Sequence, residues 1–375
     1  MLSGSAGTGL MAAFLLRLVS RLPSSRHRGG FPRRPTPMHV PLHDASAIYR
    51  PRDCLAAVDC LCCAIVHLDF FSVLERHPDD LPGICRRLGL HPRPADVMLT
   101  LFKAHGFVEA DGDGVHRTTG LAREVLVAGG PCDARPYYAS MAERPGVADF
   151  LRVLRTGRPA NWPGEEGEAD WHAAMRTEAF AESFTAAMDC RGRAVAPALA
   201  GAVDLGATRR LLDVGGGSGV YATACAETWP ALEAVVLEAP PVDAIARRVT
   251  ARSTAAARIA VVAADMFADP WPADCDVHLF SNVLHDWDEP DCRRLLAASA
   301  RALPRGGRIL VHDMFLDDDK AGPAWAAEYS VLLSTVTQGR LYARAEVAGF
   351  AADVGFSPVR HAQTALGRGV LELAR

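Results

Sequence analysis

Leu211-Leu212-Asp213-Val214-Gly215-Gly216-Gly217-Ser218-Gly219 decides the fold. Its first four residues are a short buried-strand signal. Closely spaced glycines follow, and then a helical pattern over 220–228. Glycine lets a backbone turn tightly and lets a ligand approach closely. Strand, glycine turn and helix form the opening unit of an α/β sheet, in which ligands bind beyond the carboxyl ends of the strands. Downstream, strand signals recur at 234–237, 259–263, 277–280 and 309–311, the last introduced by Pro304-Arg305-Gly306-Gly307. Helical segments intervene at 241–252 and 289–303. That alternation predicts a mostly parallel sheet with crossover helices. Two more strand candidates, 359–363 and 370–373, are separated by only 365–369. So short a link cannot be a parallel crossover, so the last strand is expected to run antiparallel to its neighbour.

Acidic residues recur at the carboxyl ends of these strands, where packing does not require them. Glu238 ends the second strand, and Asp265 and Met266 follow the third. A carboxylate at Glu238 can accept hydrogen bonds from both hydroxyls of a ribose. Asp265 is placed to accept from an adenine amino group and Met266 to pack on the ring; taken alone, a strand-end cap and core residues are the alternative. A dinucleotide loop wants Gly-x-Gly-x-x-Gly. Here the glycines stand at Gly215, Gly217 and Gly219, with Val220 in the sixth position. Asp213 is a poor neighbour for a pyrophosphate and a reasonable one for an amino-acid ammonium group. S-adenosylmethionine, a sulfonium amino acid carrying ribose and adenine, uses all of these positions; a nicotinamide dinucleotide fits them less well.

The fourth strand runs into Ser281-Asn282-Val283-Leu284-His285-Asp286-Trp287. Displacement at a sulfonium methyl needs a nucleophile in line with the carbon, and holding the reactants in line can remove much of the barrier. A free phenol has a pKa of about 10 and histidine of about 6.5. A neutral imidazole within hydrogen-bond reach is therefore a sensible base for a hydroxyl. His285 is that candidate, and an ordinary hydrogen-bonded histidine is the alternative. Asp286 is placed to orient a substrate hydroxyl or to cap the helix from Glu289. Asp313, ending the fifth strand, is the natural partner for the imidazole. His312 is expected to face the other way as a structural residue. Asp288, just before Glu289-Pro290, reads as a helix N-cap.

The N-terminal half has a different pattern. Apolar helices are expected over 50–77 and 81–88, then a turn at Pro92 and Pro94 and a helix from Pro94 to Gly106. The turn Asp111-Gly112-Asp113-Gly114 between short apolar runs predicts a two-stranded wing. This is a winged-helix pattern. A DNA-reading helix presents polar and basic residues, whereas 95–104 is mostly apolar with one lysine. No nucleic-acid partner is expected, in keeping with a formal charge of -4.

At 375 residues, 49% apolar and 22% charged, the chain fits two domains. Ten cysteines without zinc-knuckle spacing predict reduced, mostly buried thiols and no metal. Residues 1–37 are arginine-rich and free of acids. The apolar run 10–16 is too short to span a bilayer, and the charge follows it, unlike a secretory signal. The segment reads as an unstructured tail or an organelle-targeting extension, outside the fold. A cytoplasmic protein without a membrane partner is expected. The domain plan is 1–37 extension, 38–155 winged-helix domain, 156–203 linker and helices beside the substrate, and 204–375 cofactor domain. Phe180, Phe184 and Met188 repeat at helical spacing. With Trp287, Trp325 and Tyr329 they are the candidates for an apolar pocket.

The runs LLDVGGGSG, LEAPPV, ADMF, SNVLHDW and ALPRGGRILVHD resemble the small-molecule O-methyltransferases typified by plant caffeate, flavonoid and hydroxyindole enzymes and by bacterial polyketide-tailoring enzymes. The resemblance covers about residues 40–375. It implies a Rossmann-like seven-stranded sheet of order 3-2-1-4-5-7-6 with strand seven antiparallel, behind a winged-helix domain that builds a homodimer. It implies that the glycine loop and Glu238 hold S-adenosylmethionine, with Asp265 and Met266 at the adenine. His285 stands where the family base stands, Asp313 at the acid that flanks it, and Phe184 and Met188 near the donor methyl. Two positions depart from the plant pattern. Ser281, expected as a cofactor contact, stands where plant members carry a lysine that helps hold the cofactor, and Leu341 takes the place of a second glutamate. An apolar side chain cannot orient an imidazole. The leading reading is O-methylation of a small hydroxylated aromatic or polyketide-like metabolite, releasing S-adenosylhomocysteine. Two alternatives stay open: an atypical member with hydroxylase, decarboxylase, N- or C-methylating chemistry, and a cofactor-sensing regulator without catalysis.

Overall fold

The computed structural model describes residues 36–160 and 174–375. Most of the 1–37 extension and residues 161–173 of the expected linker lie outside the described residues. The described chain divides into two units, one holding 48–160 with 316–343, the other holding 36–47, 174–315 and 344–375. This departs from the domain plan at 204–375. The helix Ala324–Val336 packs on the helices Leu55–Val66 and Pro92–Ala104. Most of its residues are buried, Glu328 included. A helix without a broad polar face needs cover all round, and the N-terminal helices supply it. Local periodicity carries no information about which partner does so.

In the first unit, the stretch expected as one or two helices over 50–77 is broken at Asp69, whose φ of 42° is left-handed. Leu55–Val66 ends before it and Phe70–Arg76 begins after it. Asp80 caps Leu81–Leu88 by accepting from the Gly83 N–H at 2.8 Å, and Gly89 ends that helix in the left-handed region. The next helix starts at Pro92 rather than Pro94. The first turn has no intrahelical use for its N–H groups, so prolines are tolerated there. Phe70, Phe71 and Phe102 are buried with ring centroids 5.0 to 5.4 Å apart and form the centre of the core. Strands β1 (Val108–Ala110) and β2 (His116–Thr118) pair antiparallel as the wing. The Asp111 carboxylate accepts from the Asp113 and Val115 N–H groups across its turn. Among the described residues no single helix is long and apolar enough to cross a membrane.

The second unit is a seven-stranded sheet: β3 (Arg210–Val214), β4 (Glu233–Glu238), β5 (Ile259–Ala263), β6 (Val277–Ser281), β7 (Arg308–Met314), β8 (Ser357–Gln363) and β9 (Arg368–Ala374). Its order is β5-β4-β3-β6-β7-β9-β8. Counted from β3, that is the expected 3-2-1-4-5-7-6. The first five strands are parallel, and β9 is antiparallel to both neighbours. Helices Val220–Thr228, Val242–Thr250 and Glu289–Ala302 make the crossovers. The last is capped by Asp288, which accepts from the Asp291 N–H at 3.1 Å. The long helix Glu178–Ala202 packs on Val220–Thr228.

Candidate active site

All the chemistry-bearing positions of the sheet unit lie at or just beyond the carboxyl ends of β3 to β7. The glycine loop leaves β3 with Gly215, Gly217 and Gly219 at φ of 62°, 57° and 76°. L-residues with side chains rarely adopt these angles. A β-carbon at Gly216 would come within 2.8 Å of the Asp213 carboxyl carbon and 2.9 Å of Val236 Cγ1, while one at Gly217 would meet nothing within 4 Å. One side of the loop is thus pressed onto the sheet and the other is open.

Asp213 lies on the pressed side. It is fully buried, and its Oδ2 accepts from the Ala222 N–H at 3.2 Å. Its Oδ1 has no hydrogen-bond partner, and burial pushes the carboxyl up to about 7. Direct contact with an amino-acid ammonium group, expected from the sequence, is not offered here, because the loop that Asp213 supports covers it. Glu238 faces the loop instead. Its Oε2 accepts from the Gly217 N–H at 2.8 Å and its Oε1 from the Ala239 N–H at 2.9 Å. Burial raises this carboxyl too, to about 7, against the lowering effect of those two hydrogen bonds. Each oxygen keeps a lone pair for a further donor.

Asp265 is exposed, beyond the end of β5. Its Oδ1 accepts from the Phe267 N–H at 2.8 Å, and its own N–H donates to Asp269. It therefore closes a turn and keeps its second oxygen for solvent or a ligand. The Met266 sulfur lies 3.6 Å from where a β-carbon of Gly215 would stand, and Val283 Cγ2 lies 3.4 Å from it. The turns after β3, β5 and β6 therefore meet. Ser281 ends β6, but its hydroxyl is engaged with His312 Nδ1 at 2.8 Å and accepts from Asn282 Nδ2 at 3.2 Å. Those bonds make it part of the support under the turn rather than an open cofactor ligand.

His285 is buried in the short 3-10 turn Leu284–Asp286. Its Nδ1 stands 2.7 Å from Asp313 Oδ1, and its Nε2 is 3.6 Å from Asp286 Oδ1. Burial works to raise the Asp313 carboxyl, but His285, Arg368 and the Met314 N–H together outweigh it, so the group is held below the ordinary carboxylate range. An ionised Asp313 only accepts, so the shared proton belongs to Nδ1 and the Nε2 lone pair is presented on the other side of the ring. Burial pushes the neighbouring Asp286 up to about 6, against the pull of His285. His312 is fully buried, bonded to Ser281 and Thr364, and kept neutral by burial, with its pKa lowered to about 3. It is structural, as expected.

The pocket candidates are divided. Phe184 and Met188 lie half-buried on the helix Glu178–Ala202, Phe184 stacked on Phe180 with centroids 6.1 Å apart. Trp287 is buried edge-on against Phe267 at 4.4 Å. Trp325 and Tyr329 belong to the other unit, as does the fully buried Leu341, whose N–H donates to Ser330 Oγ. Sequence reasoning missed Asn282, Tyr221, Arg191 and Arg368. Asn282 has φ of 55°, and an asparagine just after a strand end was a readable sign of a left-handed turn. Nothing local marked the two arginines.

The family model for an O-methyltransferase domain matches residues 148–357. The chain is 36% identical over 300 residues to a 3-hydroxy-5-methyl-1-naphthoate 3-O-methyltransferase from Streptomyces sahachiroi, covering 79% of this chain and 85% of that one. It is 32% identical to the aclacinomycin 10-hydroxylase RdmB from Streptomyces purpurascens, over 74% of this chain and 76% of that one. An O-methyltransferase family 2 protein from Planctomyces limnophilus, solved in complex with apigenin, superposes with a TM-score of 0.82 at 30% identity, covering 90% of this chain and 98% of that one.

Proposed function

Because the chain belongs to the O-methyltransferase family, we propose that it methylates a hydroxyl of a small aromatic or polyketide-type metabolite with His285 as general base. S-adenosylmethionine is the methyl donor, and it supplies a methyl carbon activated by a positively charged sulfur. The open side of the glycine loop at Gly217, next to the turn at Gly215, would take its amino-acid part. Glu238 would accept from the ribose hydroxyls, and Asp265 with Met266 would meet the adenine. Asp213 would act from behind, holding the loop to the helix Val220–Thr228. The fit rests on the open space at Gly217, beside a carboxylate with unused lone pairs.

The observation that carries the base assignment is the 2.7 Å contact of His285 Nδ1 with a buried Asp313. It fixes the ring, and Nε2 would then be the atom that meets the acceptor hydroxyl. His285 Nε2 would take the O–H proton as the acceptor oxygen bonds to the methyl carbon that the donor would supply, and the donor would leave as neutral S-adenosylhomocysteine. Asp313 then faces an imidazolium and stabilises it. Asp286 and the half-buried Phe184 and Met188 are the side chains of this unit offered to orient and cover the acceptor ring. A homodimer joined through the N-terminal helices belongs to the same proposal, and light scattering on the pure protein tests it.

The relative named a hydroxylase supports a second reading, in which this chain would hydroxylate its acceptor without transferring a methyl group. One experiment separates the two. The protein is incubated with methyl-labelled donor and a panel of hydroxynaphthoic acids, polyketide phenols and flavones. Label in an ether product, lost in His285→Ala, is expected. Recovery of the donor intact beside a chemically altered acceptor would replace O-methylation with the second reading.

A further inference from the structure

Arg368 is among the largest side chains that the protein buries completely. A guanidinium removed from water is costly unless hydrogen bonds and an opposite charge compensate it. Its position shows what compensates it. Arg368 opens β9 opposite Met314 of β7, so Asp313 is opposite the next residue, Gly369. Its Nε donates to Asn282 Oδ1 at 2.8 Å and its Nη1 to the Leu366 carbonyl at 3.0 Å. Asn282 holds the left-handed turn that leads from β6 to His285, and its Nδ2 donates to Tyr221 Oη at 3.0 Å. The backbone N–H of Asn282 donates to the His312 carbonyl at 2.8 Å. One buried cation is thus bonded to the turn that carries the base and lies beside the strand that carries the base's acid.

We propose that Arg368 is a positioning residue for the base. Its guanidinium holds the Asn282 turn that leads to His285 in register with β7, the strand that carries Asp313. This rests on the assignment of His285 as base. The charge of Arg368 favours the ionised form of Asp313, and an ionised Asp313 is what keeps the imidazole proton on Nδ1. The groups facing this pair from the packed elements of the sheet unit are Asp286 on the same turn, His312 on β7, Tyr221 on the helix Val220–Thr228 and Arg191 on the helix Glu178–Ala202. His312 is kept neutral by burial, so the positive charge beside Asp313 on these strands comes from Arg368. A methionine of similar length at 368 would fill the space without donating to Asn282 or balancing Asp313. The two roles of space-filling and positioning therefore separate cleanly.

The test reads the His285–Asp313 bond directly and needs no acceptor. Protein labelled with nitrogen-15 in histidine and saturated with S-adenosylhomocysteine is expected to show a far-downfield proton on an imidazole Nδ1. It is assigned to His285 by its absence from His285→Gln. In Arg368→Met that resonance is expected to disappear, while binding of S-adenosylhomocysteine, measured by calorimetry, is unchanged. Should Arg368→Met fail to fold, Asn282→Gly decides. It keeps the left-handed turn, removes the acceptor of the Arg368 Nε–H, and is expected to lose the resonance too. Persistence of the resonance in either folded variant overturns the proposal. Wild-type turnover by His285→Gln would overturn the base assignment instead, so the two failures are told apart.

Discussion

Replacing Asp313 by asparagine and by alanine has sharply different expected costs, because one oxygen of Asp313 does two things. Oδ1 accepts from His285 Nδ1 at 2.7 Å and from the Met314 N–H at 2.8 Å. Asparagine can place its carbonyl oxygen in the same position and keep both bonds, with the imidazole tautomer unchanged. What it loses is charge. A charged hydrogen bond contributes about 1.5–3 kcal/mol and a neutral one about 0.5–1.5, so about 1–2 kcal/mol of support for the imidazolium is removed. Carried into the transition state, this is a fall of roughly 5- to 30-fold in kcat. Alanine removes the acceptor itself and leaves two buried N–H groups unmatched, each costing about 1–3 kcal/mol. A fall of at least about 100-fold in kcat and a lower melting temperature are expected for it. Initial rates of labelled methyl transfer to the acceptor identified by the panel, with the donor saturating, give both numbers. Equal and small effects of the two variants would refute the reasoning. So would a loss in Asp313→Asn as large as in Asp313→Ala, since it would show that the amide flips and reverses the tautomer.

Three further outcomes are expected. Gly217→Ala adds a methyl in open space at φ of 57°, so it costs about 1–2 kcal/mol in stability from backbone strain alone. Its affinity for S-adenosylhomocysteine, by calorimetry, falls further than that strain accounts for if the amino-acid part sits on that face. Glu238 is held protonated to about pH 7 by burial, and hydroxyl donors from a ribose favour the ionised form. Cofactor binding is therefore expected to release a proton and to tighten as pH rises through 7, by up to about tenfold from pH 6 to 8. Calorimetry in buffers of different ionisation enthalpy measures the release, and Glu238→Gln removes it. Asp288→Ala takes away the N-cap of Glu289–Ala302. It costs about 1 kcal/mol of stability in denaturant unfolding, without the loss of turnover expected at His285.

Much of the catalytic unit could be read before any coordinates. The strand over 259–263 and the helix over 220–228 fall where periodicity placed them, because each depends on residues within its own length. The glycine loop, the antiparallel return of β9 and the cap at Asp288 were equally local. Each follows from allowed backbone angles, the length of a link or one side chain reaching its own helix. The rim position of His285 followed from its place after a strand. Its 2.7 Å contact with Asp313 was expected as a pairing, because parallel neighbours β6 and β7 bring their carboxyl ends together.

Other features needed the folded chain. Asp213 looked like a ligand and proves to be covered, because the direction of a side chain at a loop depends on what packs over it. Ser281 looked like a cofactor contact and is engaged with His312, a partner supplied by another strand. The helix Ala324–Val336 is apolar wherever it sits, and only packing assigns it to the N-terminal helices. Arg368, 86 residues from Asn282 in sequence, carries no local sign of its function. Sequence alone determined the elements, their order and the rim on which the chemistry stands, since short-range backbone sterics and periodic burial set those. Tertiary structure alone decided which buried charges meet and which polar groups stay open, since those depend on contacts between segments that the chain brings together only when it folds.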